Sequence, residues 1–169
     1  MPTLVATAGA TNANSYCTLA EANAYHESRL YTTSWTDADD DDKIIALIWA
    51  TRMLDEICDW VGEKSAGSQA LRWPRWDAWD KDGYSLDSST IPTFLKNATA
   101  ELAFQLILKD RLQTIDDNIG GLKSVQAGDV SVEFDKLDRI QELPKSVTNL
   151  IKGFTTNATG GGQIPLVRC

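Results

Sequence analysis

The sequence is poor in the side chains that do chemistry: one histidine, two methionines and three cysteines in 169 residues. His26 stands on a predicted helix face with no second ligand at metal spacing, so it reads as a structural or solvent-facing group. Cys17, Cys58 and Cys169 are far apart, odd in number and unpaired in spacing, which excludes a disulfide framework or a zinc knuckle. Cys17 and Cys58 are expected to pack as small buried apolar groups, and Cys169, the last residue, to be exposed. There is no nucleophile elbow, no zinc-protease helix and no glycine loop followed by Lys-Ser or Lys-Thr. Gly160-Gly161-Gly162 therefore reads as a linker. Asp37 to Asp42 fails as a calcium loop, because Asp42 stands where glycine is needed and Ile48 where a bidentate Glu is needed. It reads as a solvated helix start, and Asp80 with Asp82 as a turn. Spacing in sequence does not fix the separation of carboxylates in space. With so few reactive groups the reading is nonetheless of a protein that is not an enzyme, with no catalytic, metal-binding or cofactor-binding residues and no cofactor.

Two further shortages bear on partners. No apolar run approaches the roughly 20 residues that span a bilayer. Met1 to Asn14 has neither a basic stretch nor an apolar core, so no membrane and a cytoplasmic origin are expected. Positive charge is also scarce: 16 Lys and Arg against 24 Asp and Glu give a net charge of −8, and no basic cluster appears. Proteins that hold nucleic acid tightly usually neutralise phosphates with clustered cations, so this balance argues against a dedicated DNA binder.

What is present is one domain's worth of ordinary globular sequence, 43% apolar and 24% charged. Residues 1–14 read as a loose N-terminal arm, and 15–155 as a single domain. Thr18-Leu19-Ala20-Glu21 matches a capping box opening a helix to about Leu30, with Leu19, Ala22 and Tyr25 or His26 inward. Thr36 looks like the next N-cap, with Asp37, Asp39 and Asp40 complementing the helix dipole. That helix should reach Trp60. Ile44, Leu47, Ile48, Thr51, Leu54 and Cys58 share its main apolar face, and Trp49, Met53, Ile57 and Trp60 widen it. Such a helix is either central to a bundle or lies at a subunit contact.

Gly62 to Ser89 should be mostly irregular, a packed flap pinned to the bundle by Trp73, Trp76 and Trp79. Within it, Arg72-Trp73-Pro74-Arg75-Trp76 mixes aromatic and basic residues as single-strand-binding surfaces do. The plainer reading buries the aromatics and pairs the arginines with Asp77 or Asp80. Pro92 should begin a helix to about Leu112, with Leu95, Ala98, Leu102 and Leu106 in one stripe. The period then changes to two: Val125, Val130, Val132 and Phe134 alternate with polar residues around Ala127-Gly128-Asp129, a hairpin over about 122–135. Pro144 introduces a last helix to about Phe154. Residues 156–169 form a glycine-rich hinge and an extended apolar tail, Ile164-Pro165-Leu166-Val167-Arg168, which needs a neighbour's groove or sheet edge. The fold class is thus mainly α, formally α+β: a small helical bundle with a long Trp-rich flap, one β-hairpin and a C-terminal tail.

Ser15-Tyr16, Thr18-Leu19-Ala20-Glu21-Ala22, Ala50-Thr51-Arg52 with Leu54-Asp55, and Gln69-Ala70-Leu71-Arg72-Trp73-Pro74-Arg75 resemble phage proteins labelled DnaT-like single-stranded DNA-binding proteins. The likeness continues through Asp82-Gly83, Ile91-Pro92, Ala98 and Glu101-Leu102-Ala103. Its most specific part is the flap motif of Leu71, Trp73, Pro74 and Arg75. The hairpin and glycine-rich end resemble tailed-phage head–tail connectors. The connector resemblance implies a structural adaptor in the virion neck, a ring of about twelve subunits lining the channel through which double-stranded DNA passes without specific binding. Its partners would be the portal protein, engaged by Ile164 to Arg168, and a tail-side neck or tail-terminator protein, with Val125, Val130, Val132 and Phe134 at ring contacts. The alternative is a DnaT-like single-stranded DNA-binding replication protein. On that reading Trp73→Ala or Arg75→Ala weakens oligonucleotide binding.

Overall fold

The computed structural model describes residues 2–108, 124–127, 130–133 and 143–156. The chain order is α1 (Leu19–Glu27), α2 (Thr33–Asp37), α3 (Asp40–Ile57), β1 (Glu63–Lys64), β2 (Arg75–Trp76), α4 (Thr93–Leu108), β3 (Ser124–Ala127), β4 (Val130–Glu133) and α5 (Lys145–Ile151). The architecture is a mainly helical bundle with one hairpin, β3–β4, as the sequence periods predict, and a second two-stranded sheet, β1–β2, inside the segment expected to be irregular.

The capping box forms in full. The Thr18 hydroxyl accepts from the Glu21 amide at 3.2 Å and the Glu21 carboxylate accepts from the Thr18 amide at 2.8 Å. α1 ends at Glu27, a turn short of Leu30, and buries Ala22 and His26 while Leu19 and Tyr25 are half covered. The expected long helix from Thr36 to Trp60 is instead two helices. Ala38 and Asp39 are extended (ψ 146° and 149°), so Thr36 lies inside α2 and the aspartates at 40–42 form the first turn of α3. The dense Thr/Asp sequence offers several caps, and the chain uses the break to turn Trp35 into the core.

α3 and α4 form the central pair, with α5 against α4 and α1 against both. Leu47, Thr51 and Leu54 of α3 are fully buried, as its main apolar face predicts, but Trp49 is left at the surface. α4 carries the small residues Ala98, Ala100 and Ala103, all buried, which let neighbours approach from several sides. Its main stripe, Leu95, Ala98 and Leu102, is buried as expected. Pro92 caps this helix, its carbonyl accepting from the Leu95 and Lys96 amides at 3.0 and 3.2 Å. Phe94 stacks on Phe154 at 3.7 Å, closing the bundle beyond α5. Cys17 and Cys58 are buried, and burial pushes both thiols up to about 12.

The segment read as a loose arm is tied back. Val5 donates to the Asn14 side chain at 2.7 Å, and the Asn14 and Ser15 amides return to the Val5 carbonyl at 2.9 and 3.2 Å. The predicted hairpin is present: β3 and β4 are antiparallel with Val125 opposite Val132 and Ala127 opposite Val130. Phe134, the glycine hinge, Cys169 and the tail from Ile164 to Arg168 lie outside the described residues.

Candidate nucleic-acid interface

The residues that carry the motif gather at the root of the flap. Tyr16, fully buried, donates its hydroxyl to Asp55 of α3, and its amide meets the Thr51 hydroxyl at 3.3 Å. The other Asp55 oxygen accepts from the Arg72 amide at 3.2 Å. Burial raises the Asp55 carboxyl above its ordinary range, opposed by the Tyr16 hydrogen bond; burial and the Asp55 charge hold the Tyr16 phenol protonated. This clasp fastens the start of the motif to α3. Trp73 then enters the core at 1% exposure, edge-on to Trp60 and Phe94 with ring centroids 5.9 and 5.7 Å away.

Arg75 is the keystone of the next turn. Its guanidinium donates to the carbonyls of Val61 (2.7 Å), Arg72 (3.1 Å) and Trp60 (3.3 Å), and to that of Gly62. Desolvation presses its pKa down, yet this ring of carbonyl oxygens suits a cation with five fixed donors. Gln69 adds a second brace, donating to the Leu71 and Pro74 carbonyls at 2.9 and 3.1 Å. β1 pairs with β2 through Glu63 opposite Trp76 and Lys64 opposite Arg75. Gly62 sits at φ 72°, where an added Cβ would lie 2.1 Å from the Trp76 carbonyl oxygen. Only glycine fits that approach.

The tip is a small closed loop. The Asp80 amide donates to the Tyr84 carbonyl and the Leu86 amide to the Ala78 carbonyl, both at 2.8 Å. The Asp80 side chain accepts from the Asp82 and Tyr84 amides at 3.0 and 2.7 Å, an Asx-type turn of the kind Asp80-Lys81-Asp82-Gly83 predicts. With the backbone satisfied in this way, Trp76, Trp79 and Tyr84 stand 56%, 55% and 73% exposed.

The motif expectation is therefore corrected in two respects. Of the three flap tryptophans, only Trp73 pins the loop. The arginine Arg75 pairs with backbone carbonyls rather than with Asp77 or Asp80, because the turn of β2 carries it back under residues 60–62. Leu71 is half buried, and Trp73 and Pro74 are buried, so the quoted motif builds the platform. The groups free to meet a ligand are the ones that follow it. Tyr84 was not singled out in the sequence, although its place after an Asp-Lys-Asp-Gly turn that Trp79 precedes is a legible signal. The exposed cations nearby are Lys64, Arg72 and Lys81, set among the exposed Glu63, Asp77, Asp82 and Asp87. Val125, Val130 and Val132 lie in the paired strands β3 and β4. Among the described residues no group of three or more His, Cys, Asp or Glu side chains could hold a metal ion.

No curated protein and no solved structure matches the chain. One family profile matches residues 1–169, that described as "Putative DnaT-like ssDNA binding protein". This match overturns the expectation of a structural head–tail connector. The hairpin and glycine-rich end that suggested a connector are generic features, whereas the profile spans the whole chain, the clasp and flap motif included. The chain belongs to the DnaT-like single-stranded DNA-binding family.

Proposed function

We propose that this protein binds single-stranded DNA through the tip of the flap, with Trp76, Trp79 and Tyr84 as stacking platforms. The observation that carries the reading is their exposure on a loop whose root is locked by Tyr16, Asp55 and Arg75. Aromatic rings exposed to water are costly to solubility, and every base offers a face for them. The Cα atoms of Trp76 and Trp79 are at most about 11 Å apart, so neighbouring nucleotides can reach both. Lys64, Arg72 and Lys81 supply cations for the backbone, while the aspartates beside them temper the attraction.

This composition predicts binding dominated by stacking, with a shallow dependence on salt. Three phosphate contacts on a single strand give a slope of log K against log salt of about −2. The test is fluorescence anisotropy with a labelled oligothymidylate at several salt concentrations, against a duplex of equal length. Trp76→Ala with Trp79→Ala should weaken binding at least tenfold, since each stacked base contributes about 1–3 kcal/mol. Absence of binding at low salt, or affinity untouched in the double variant, would defeat the assignment. Trp73→Ala is the wrong probe, because it opens the core.

A further inference from the structure

The outer face of α3 carries a pattern that neither the bundle nor the flap uses. Beyond Asp40 at its start, its exposed residues are Asp42, Ile45, Trp49, Arg52 and Glu56. The steps between these five are three, four, three and four residues, the spacing of a coiled-coil seam. Ile45 and Trp49 are 46% and 37% exposed, and they line a groove of about 470 Å³ with Pro2, Ile48 and Met53. The apolar pair is flanked by an anion at one end and a cation at the other.

We infer that this seam is a dimer interface, in which α3 packs antiparallel on α3 of a second copy about a two-fold axis midway between Ile45 and Trp49. The argument is one of register. Antiparallel seams match positions whose numbers have a constant sum. One register pairs Ile45 with the partner's Trp49, Trp49 with the partner's Ile45, Asp42 with the partner's Arg52 and Arg52 with the partner's Asp42. Shifting by one seam position sets Ile45 against Arg52 and Asp42 against Glu56. A parallel, in-register pair opposes Asp42 to Asp42, Arg52 to Arg52 and Glu56 to Glu56. Only the first arrangement joins apolar to apolar and opposite charges together, and it is self-complementary, as a two-fold interface must be. A single helix pair falls at the small end of specific interfaces, so the dimer is weak, with a Kd on the order of 100 µM. This inference does not rest on the DNA-binding proposal, and its test contains no DNA.

The experiment is sedimentation equilibrium of the full chain from about 10 µM to about 1 mM, with circular dichroism confirming each variant's fold. The wild type should show a monomer–dimer equilibrium. Trp49→Glu should weaken it more than tenfold. Asp42→Lys and Arg52→Glu alone should each weaken it several-fold by setting like charges together, and the two combined should restore it. Both charged positions are exposed, so these variants remain informative if Trp49→Glu fails to fold. A monomer throughout the range would overturn the proposal and leave the face to a different partner. So would self-association that ignores the single charge changes or is not rescued by the double swap.

Discussion

Glu101 lies 2% exposed on α4, and one of its oxygens meets only Arg29, at 2.6 Å, and the Tyr25 hydroxyl, at 3.4 Å. Arg29 also lies over the Phe104 ring, 5.0 Å from its centroid. Removing a single partner of a buried pair strands the other charge. Because Glu101 is buried but Arg29 is about a third exposed, Arg29→Met should lower the unfolding free energy by about 2–3 kcal/mol, and Arg29→Met with Glu101→Met should regain most of it. Urea denaturation of both variants measures this; a loss below about 1 kcal/mol for Arg29→Met would mean that water reaches Glu101. His26 gives a second test at this scale. It packs against Trp35 and Phe104, with centroids 4.5 and 5.5 Å away, and one ring nitrogen meets the Ala100 carbonyl at 3.1 Å. Desolvation lowers its pKa below the ordinary 6.5. The folded state then binds fewer protons than the unfolded chain. Stability linked to His26 is full above about 6.5 and is lost as pH falls through the lowered value. Asp55, with its raised pKa, acts in the opposite sense, losing its contribution as pH rises. The difference between wild type and His26→Gln in urea midpoint, followed from neutral to mildly acid pH, isolates the histidine. Parallel curves for the two proteins would refute the assignment.

At the scale of elements, local chemistry was legible wherever a short motif carries its own geometry. The Thr18–Glu21 capping box, Pro92 and Pro144 ahead of α4 and α5, the hairpin pairing of β3 with β4 and the Asp80 turn all follow from residues within a few positions. The break between α2 and α3 was not legible, because Thr36, Asp37 and Asp39 are all competent caps and the choice depends on where Trp35 finds its pocket. The flap shows the same limit more sharply. Nothing local distinguishes Trp73 from Trp76 or Trp79; what separates them is the distant anchor of Tyr16 and Asp55. Gly62 tests that anchor from the other side. Gly62→Ala should cost about 2 kcal/mol or more, since its Cβ would meet backbone that cannot swing aside. Gly67→Ala, with nothing within 4 Å of the new methyl, should be near neutral. Equal stability of the two variants in urea would show that residues 62 and 76 do not approach as described.

For the whole molecule, the mainly α class with one hairpin was readable from the change of period along the chain. Function was less so, since net charge and the generic look of the hairpin and tail pointed away from DNA, while the family profile points toward it. Under the proposed function, charge and family are compatible because the contact rests on aromatic stacking rather than on electrostatics. The root and tip of the flap also differ in what a substitution does to the rest of the protein. Residues 72–75 are committed to α3 and to the carbonyls of residues 60–62, so change there disturbs the domain. Trp79 and Tyr84 are exposed on a loop that closes on itself, and Trp76 is exposed at its base in β2. Substitution at the tip therefore need not refold the frame, and the flap is built as an exchangeable head on a fixed mount.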